Sequence, residues 1–324
     1  MVPTSLSKDD WALLVPRISD GECVAFLGAG ANVAPSGETG LPLGAQVAAQ
    51  LAEALTGVNV REFDDLVNVE PYKALRDYRE LLRLGLYDLP RVAFYVELRR
   101  DPAFLMKQLR AILDDTAYKP SPVLRTLARL PFRLIVTTNY DNLMERALDH
   151  VGVEYLRVVQ PVGGFDEKRR RDLNDELAGW GDRLVLYKIH GSLLPPDGNL
   201  GGGTGDLLVT EEDYIRYLTI ANVQGRGVPN IIAGRLKAST ILFLGYSLED
   251  WDFRTIFKSL IEPLERHTMF QSFAFQRKPS AHWEKFWVQK HVDIINQDVS
   301  KFAQKLEAKC AKFIRPEPDW GQCP

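Results

Sequence analysis

The sequence predicts an α/β protein built on a doubly wound, mostly parallel sheet, with a helical insertion early in the chain. Three observations carry this reading. Short apolar runs alternate with amphipathic helical stretches over most of the 324 residues. The runs are apolar at consecutive positions, as in buried strands. Several break at their carboxyl ends into glycine or small polar residues, which is where an open parallel sheet holds its ligands. A content of 45% hydrophobic and 26% charged residues excludes disorder as a global description, and the length fits one large domain, two smaller ones, or a single α/β domain with an insertion.

In chain order, the run ECVAFL predicts a strand over 22–27, which breaks into Gly28-Ala29-Gly30-Ala31-Asn32. After a loop rich in glycine and proline, an Ala/Leu-rich stretch predicts a helix over 43–55. From 60 to 130 the pattern is amphipathic and charged. Helices are expected there over 72–84, 91–98 and 104–113, separated by prolines such as Pro90 and Pro102. Strands return at 132–138 (FRLIVTT), 154–159 and 183–189 (RLVLYKI), with a helix over 141–151. A glycine-rich stretch at 198–205 reads either as a mobile lid or as a plain connection. Helices near 211–218 and 230–237 precede the strand 240–244 (TILFL), and two further units follow: strand 270–275 with helix 282–290, and strand 292–295 with helix 298–313. The expected organisation is a sheet domain of 1–59 and 131–314, an insertion of 60–130 and a frayed tail of 315–324.

Forty Lys and Arg against 43 Asp and Glu leave a net charge of −3, so no whole-molecule field collects nucleic acid or anionic lipid. The basic run Lys168-Arg169-Arg170-Arg171 lies among Asp166, Glu167 and Asp172, and reads as a solvated loop rather than a nucleic-acid or partner contact. Cys23, Cys310 and Cys323 lie far apart without a C-x-x-C pair, so neither zinc nor a cycling disulfide is expected and a reducing cytosol is the natural setting. The amino terminus is too polar for a signal peptide, and no apolar run reaches the length of a membrane span. A soluble, cytoplasmic protein is expected.

Four segments carry candidate chemistry. Gly28-Ala29-Gly30 after a strand suggests a dinucleotide turn, in which backbone amides face a pyrophosphate; as a bare motif it equally serves to reverse the chain. The third small residue of a dehydrogenase fingerprint is replaced by Val33, which disfavours hydride transfer, and no G-x-x-x-x-G-K-[ST] loop supports an ATPase. Thr137-Thr138-Asn139-Tyr140-Asp141 closes the second strand; taken alone, Asn139 or Asp141 reads as a helix N-cap. Lys188-Ile189-His190-Gly191-Ser192 places a histidine at a strand end, able to transfer protons or merely to pack. Gly245-Tyr246-Ser247-Leu248-Glu249-Asp250 ends the strand 240–244 as a turn with a cap.

As an ordered set over roughly 20–260, these segments resemble the sirtuin superfamily, whose pattern is a GAG turn, an N-x-D after a strand, a catalytic HG and a G-x-S. The chain departs from the deacetylase sirtuins in two respects. It has no pair of C-x-x-C motifs for their zinc module, and it reads Gly40-Leu41-Pro42-Leu43-Gly44 where they carry a GIPDFR-type loop. It is closer in pattern to the zinc-less, sirtuin-like group of bacterial anti-phage systems, in which TTNYD, KIHGS, a TEEDY segment (here Thr210 to Tyr214) and GYSLED recur.

That resemblance implies a Rossmann-like sheet whose helical insertion stands in place of the zinc module, with NAD as substrate and no metal. It implies His190 as general base, Asn139 positioning water, and Asp141 binding the nicotinamide carboxamide. Gly28, Ala29, Gly30 and Asn32 would meet the pyrophosphate and nearby ribose, Gly245 and Ser247 the adenosine side, and Thr138 would also contact NAD. Members of the group hydrolyse NAD and often work beside an ATPase or an Argonaute protein. The expectation is therefore a homo-oligomer restrained by a partner in trans, a HerA-like ATPase or an Argonaute-type sensor, with no direct nucleic-acid or membrane contact. The alternatives are an NAD-dependent deacylase or ADP-ribosyltransferase, and a module that senses NAD or ADP-ribose without cleaving it.

Overall fold

The structure, a computed structural model, describes residues 2–34, 40–57, 77, 80–81, 85–193, 207–223, 227–249, 251–258 and 270–322. The expected helix over 72–84 lies almost wholly outside these residues, as does the 198–205 loop. Element α1 (Lys8–Ser19) leads into β1 (Cys23–Leu27), a 3-10 turn (Ala29–Asn32) and α2 (Gly44–Thr56). Then come α3 (Leu89–Arg99), α4 (Pro102–Ile112), α5 (Pro122–Ala128), β2 (Leu134–Thr137), α6 (Leu143–Val151) and β3 (Tyr155–Val159). Next are α7 (Glu167–Trp180), β4 (Leu184–Lys188), α8 (Glu211–Val223), α9 (Asn230–Lys237) and β5 (Thr240–Leu244). The chain closes with α10 (Trp251–Ile256), β6 (Ser272–Phe275), α11 (Ala281–Val288), β7 (Val292–Ile295) and α12 (Val299–Lys309).

Among the described residues the sheet has seven strands, all parallel, in the order β3-β4-β2-β1-β5-β6-β7, which is a doubly wound, Rossmann-like sheet. The consecutive apolar residues follow from burial on both faces. Along β1, Cys23, Ala25 and Leu27 join one core with α1, α5, α6 and α12, while Val24 and Phe26 join the opposite core with α7, α9 and Trp287. No helix among the described residues is long and apolar enough to cross a membrane.

A third core lies off the sheet. Val47, Leu51 and Leu55 of α2 pack with Val92 and Val96 of α3, Leu105 and Leu109 of α4, and Leu207 and Val209. Helix α2, which the sequence reading attached to the sheet, thus shares its apolar face with the insertion. Conversely α5, inside the expected insertion, packs on the sheet through Val123, Leu124 and Leu127.

Two expectations are corrected. The Lys168-Arg171 run forms the first turns of α7 rather than a loop: Asp166 caps the helix by accepting from the Arg169 amide at 2.8 Å, and Leu173 and Leu177 anchor it to the sheet. Residues 315–322 of the expected frayed tail are docked on the domain. The Arg315 amide donates to the Arg129 carbonyl at 2.9 Å, and the buried Trp320 ring lies 4.9 Å from His150 and 5.2 Å from the Arg125 guanidinium. A large apolar ring and a cation above it supply the docking that proline content alone does not reveal.

The chain departs from β1 in one direction and returns at β5 on its other side, so the crevice lies between the carboxyl ends of these two strands. Their turns touch through the backbone. The Gly28 amide donates to the Leu244 carbonyl and the Gly30 amide to the Gly245 carbonyl, each at 2.9 Å. A Cβ on Gly245, whose φ is +82°, would stand 2.1 Å from the Ala31 nitrogen, and one on Gly30 would stand 2.8 Å from the Gly245 Cα. Gly245→Ala is therefore expected to cost roughly 3 kcal/mol or more, from left-handed strain plus backbone overlap. Urea denaturation checks this; a loss below about 1 kcal/mol would mean that the two turns separate freely.

Candidate active site

The carboxyl ends of β1, β2, β4 and β5 open into one cleft of about 770 Å³. Ala29, Gly30, Asn32, Thr138, Asn139, Asp141, His190, Gly245 and Ser247 all line it, so side chains from segments far apart in sequence share one hollow. Gly28 does not line it. Its carbonyl instead accepts from the Asn139 Nδ2 at 3.3 Å, fixing that side chain. The amides of Gly28, Gly30 and Ala31 are all bonded within the two turns, so these three do not face an anion as the bare motif suggested.

Strand β2 delivers its end residues by short-range bonds. The Thr137 hydroxyl accepts from the Asn139 amide at 3.0 Å, turning the chain as it leaves the sheet. The Tyr246 phenol donates to the Leu27 carbonyl at 2.8 Å and lies 2.8 Å from the Thr138 hydroxyl, which clamps the β5 turn to β1 and β2. The sequence shows Tyr246 only as part of a turn, whereas its two bonds make it a structural clamp of the cleft wall.

Asp141 is buried and turned toward Asn32, whose Nδ2 donates to its Oδ2 at 2.7 Å, while its Oδ1 accepts from the Leu143 amide at 3.0 Å. Burial raises its carboxyl above the usual range, and the Lys188 ammonium opposes that shift. The Asn32 Oδ1, also buried, has no hydrogen-bond partner among the described residues.

Beneath these residues lies a buried ionic group that sequence reasoning missed. Lys188, wholly inaccessible, donates to the Asp141 main-chain carbonyl and to the Glu145 Oε1 at 2.8 Å. The same oxygen lies 3.4 Å from the Arg157 Nε, and the Arg157 Nη2 donates to the Ser192 hydroxyl at 2.8 Å.

His190 is 4% exposed and sits among aromatic rings: Tyr214 meets it edge-on at 5.4 Å and Tyr140 lies at 6.4 Å. Its Nε2 is buried without a partner among the described residues. Burial lowers its pKa from the usual 6.5 to about 3, so the ring is a neutral imidazole. The TEEDY segment supplies one of these rings through a capping box. The Asp213 carboxylate accepts from the Thr210 amide at 2.9 Å, the Thr210 hydroxyl accepts from the Asp213 amide at 3.2 Å, and the next residue, Tyr214, is thereby aimed at His190. Arg277 and Asp298, beyond β6 and β7, line the far part of the cleft, and the sequence offered no reading of them. Among the described residues no group of three His, Cys, Asp or Glu is placed to hold a metal ion.

The comparisons with known proteins agree with this arrangement. Residues 133–295, half of the chain, match the family model of the SIR2-like domain. The chain is 29% identical over 141 residues to NAD(+) hydrolase ThsA of Acinetobacter baumannii (strain 532279), covering 43% of this chain and 24% of that protein. It is 28% identical over 130 residues to NAD(+) hydrolase ThsA of Bacillus cereus (strain MSX-D12), covering 39% of this chain and 22% of that one. The chain thus spans about a quarter of the length of the curated relatives it matches. With the four strand-end segments gathered in one cleft of a parallel doubly wound sheet, and the family model covering half of its length, the chain belongs to the SIR2-like family.

Proposed function

We propose that the chain is an NAD+ glycohydrolase, cleaving the nicotinamide–ribose bond to give ADP-ribose and nicotinamide. The observation that carries this is the presence of the His190 imidazole and the Asn139 carboxamide in one cleft, at the switch point of a SIR2-like sheet. Its volume of about 770 Å³ suits a dinucleotide. The similarity to two NAD(+) hydrolases supports the same reading.

In the reaction, the bond from the ribose C1′ to the pyridinium nitrogen breaks and its electron pair stays with nicotinamide. The leaving group departs neutral without a general acid. Water attacks the oxocarbenium-like C1′ and its proton passes to His190 and on to solvent, while Asn139 holds that water in line. The imidazole is neutral, so it can take up that proton, and with a value of about 3 it is a weak base that passes the proton on readily. The unpartnered Asn32 Oδ1 is an acceptor, so it fits a ribose hydroxyl or the carboxamide N–H and not a phosphate oxygen. Ser247 and Gly245 take the adenosine side, and Asp141 acts on the carboxamide from its bond with Asn32. The biological role we assign is NAD depletion in anti-phage defence. An unrestrained enzyme would exhaust its own cell, so control is placed in self-assembly and in a partner in trans, an ATPase or an Argonaute-type sensor.

Incubating the protein with NAD, with and without the product of a neighbouring gene, is expected to release ADP-ribose and nicotinamide in equal amounts without any acylated peptide. Asn139→Ala and His190→Ala should each lower the rate by roughly 100-fold or more. Consumption that needs an acyl-lysine peptide would reassign the chain as a deacylase, and NAD binding without turnover under either condition would make it a sensor.

The pH dependence is a separate test. With a folded value of about 3, His190 should produce no acidic limb near 6.5 in kcat/KM, and its ring should stay neutral by NMR from pH 8 down to 5. Because the folded value lies below the unfolded one, the linked stability is complete above about pH 6.5 and drains away as pH falls toward 3. A histidine signal from His190 titrating between pH 6 and 7 would contradict the buried, neutral assignment.

A further inference from the structure

The SIR2-like site leaves one built feature without a task, the buried ionic group beneath it. Lys188 ends β4, paired in register with Thr137 of β2, and its ammonium reaches across to the carbonyl of Asp141 and the carboxylate of Glu145. Arg157 of β3 joins the same carboxylate oxygen and holds the hydroxyl of Ser192. The bonds therefore grip the histidine segment two residues before and two residues after His190, and grip the Asn139 loop at Asp141. All three ionic side chains are buried, with Lys188 at 0%, Arg157 at 4% and Glu145 at 5% exposure.

Buried ion pairs are poor stabilisers, because desolvation offsets their attraction and a well-packed apolar group of equal volume often does as well. Stability alone therefore gives little reason for this group. Its contacts fall on the two loops that must face one ribose from two strands, which is a reason of another kind.

We propose that Lys188 is a positioning residue: anchored by Glu145, which Arg157 also engages, its ammonium sets the Asn139–Asp141 loop against the His190 segment so that carboxamide and imidazole address the same anomeric carbon. This deepens the glycohydrolase reading and rests on it. Lys188 is inaccessible and does not line the cleft, so its action is exerted through the loops it holds. Removing its donors frees the Asp141 carbonyl and lets the Asn139 loop drift, and a displacement of about 1 Å is enough to cost about 100-fold in rate.

The test uses Lys188→Met, which keeps the stem and removes the donors, in the full chain together with any partner found to support turnover. The expected result is a kcat about 100-fold lower, an ADP-ribose dissociation constant within about threefold of wild type, and faster amide hydrogen exchange at 139–143 and 190–193. A milder pair covers the case in which this variant does not fold. Ser192→Ala should lower kcat about tenfold at unchanged ADP-ribose affinity, and Ser192→Thr, which keeps the hydroxyl, should restore most of it. A kcat within about threefold of wild type in Lys188→Met would overturn the proposal, as would parallel losses of rate and ADP-ribose affinity in Ser192→Ala. If wild-type protein consumes no NAD under any condition, the glycohydrolase reading fails, and exchange alone then judges Lys188. Protection at 139–143 as strong in the folded variant as in wild type would refute positioning, and so, should Lys188→Met not fold, would unchanged protection at 190–193 in Ser192→Ala.

Discussion

The cleft exists because two strand ends come closer than any side chain allows. Where β1 and β5 end, the Gly30 amide bonds the Gly245 carbonyl and there is no space for a Cβ on either residue. That contact fixes the floor of the crevice at the point where the sheet changes winding direction, and Tyr246 then clamps it to the ends of β1 and β2. The glycines of the first turn are thus required by the protein's own backbone before any ligand is considered. Their value to a ligand is indirect: by letting the turns interlock, they leave Ala29, Asn32 and Asn139 at the surface of the hollow.

Above this floor the site combines a dry pocket around the imidazole with an ionic layer below. Rings at 5.4 and 6.4 Å keep His190 out of water and neutral, and among the described residues nothing polar orients its Nε2. Orientation comes from the main chain instead. The His190 carbonyl accepts from the Leu208 amide at 3.0 Å, and the residues two places before and after it are tied to the ionic group. An imidazole whose Nε2 makes no hydrogen bond among the described residues is therefore held by its backbone, at the expense of burying three ionic side chains.

The sheet was legible because strands covered on both faces are apolar at every position; TILFL and its counterparts announce themselves without any period. Helices escaped notice where their apolar face is narrow. Helix α1 buries Leu14 and Ile18, and α7 is held by Leu173 and Leu177 behind a run of basic residues that resembles a loop. The site segments were legible for a related reason: each is a strand end whose residues are local in sequence. The ionic group was not, since Glu145, Arg157 and Lys188 come from α6, β3 and β4 and meet only after the sheet is assembled. Nor could the packing of α2 be read, because an Ala/Leu-rich face serves the sheet and the helical core equally well.

The helical core also bears on the setting of His190. The stretch 207–209 alternates between two cores: Leu207 and Val209 pack among α2, α3 and α4, whereas Leu208 packs on the sheet. Its backbone meanwhile bonds both sides of the histidine pocket, the amide to His190 and the carbonyl to the Tyr140 phenol at 2.7 Å. The roof of the cleft and the imidazole are thus joined through three residues. A shift of α2 to α4 relative to the sheet has to move Leu207 and Val209, and the Leu208 bonds carry that movement to His190 and Tyr140. The packing of the helical core and the placement of His190 and Tyr140 are therefore not independent of one another.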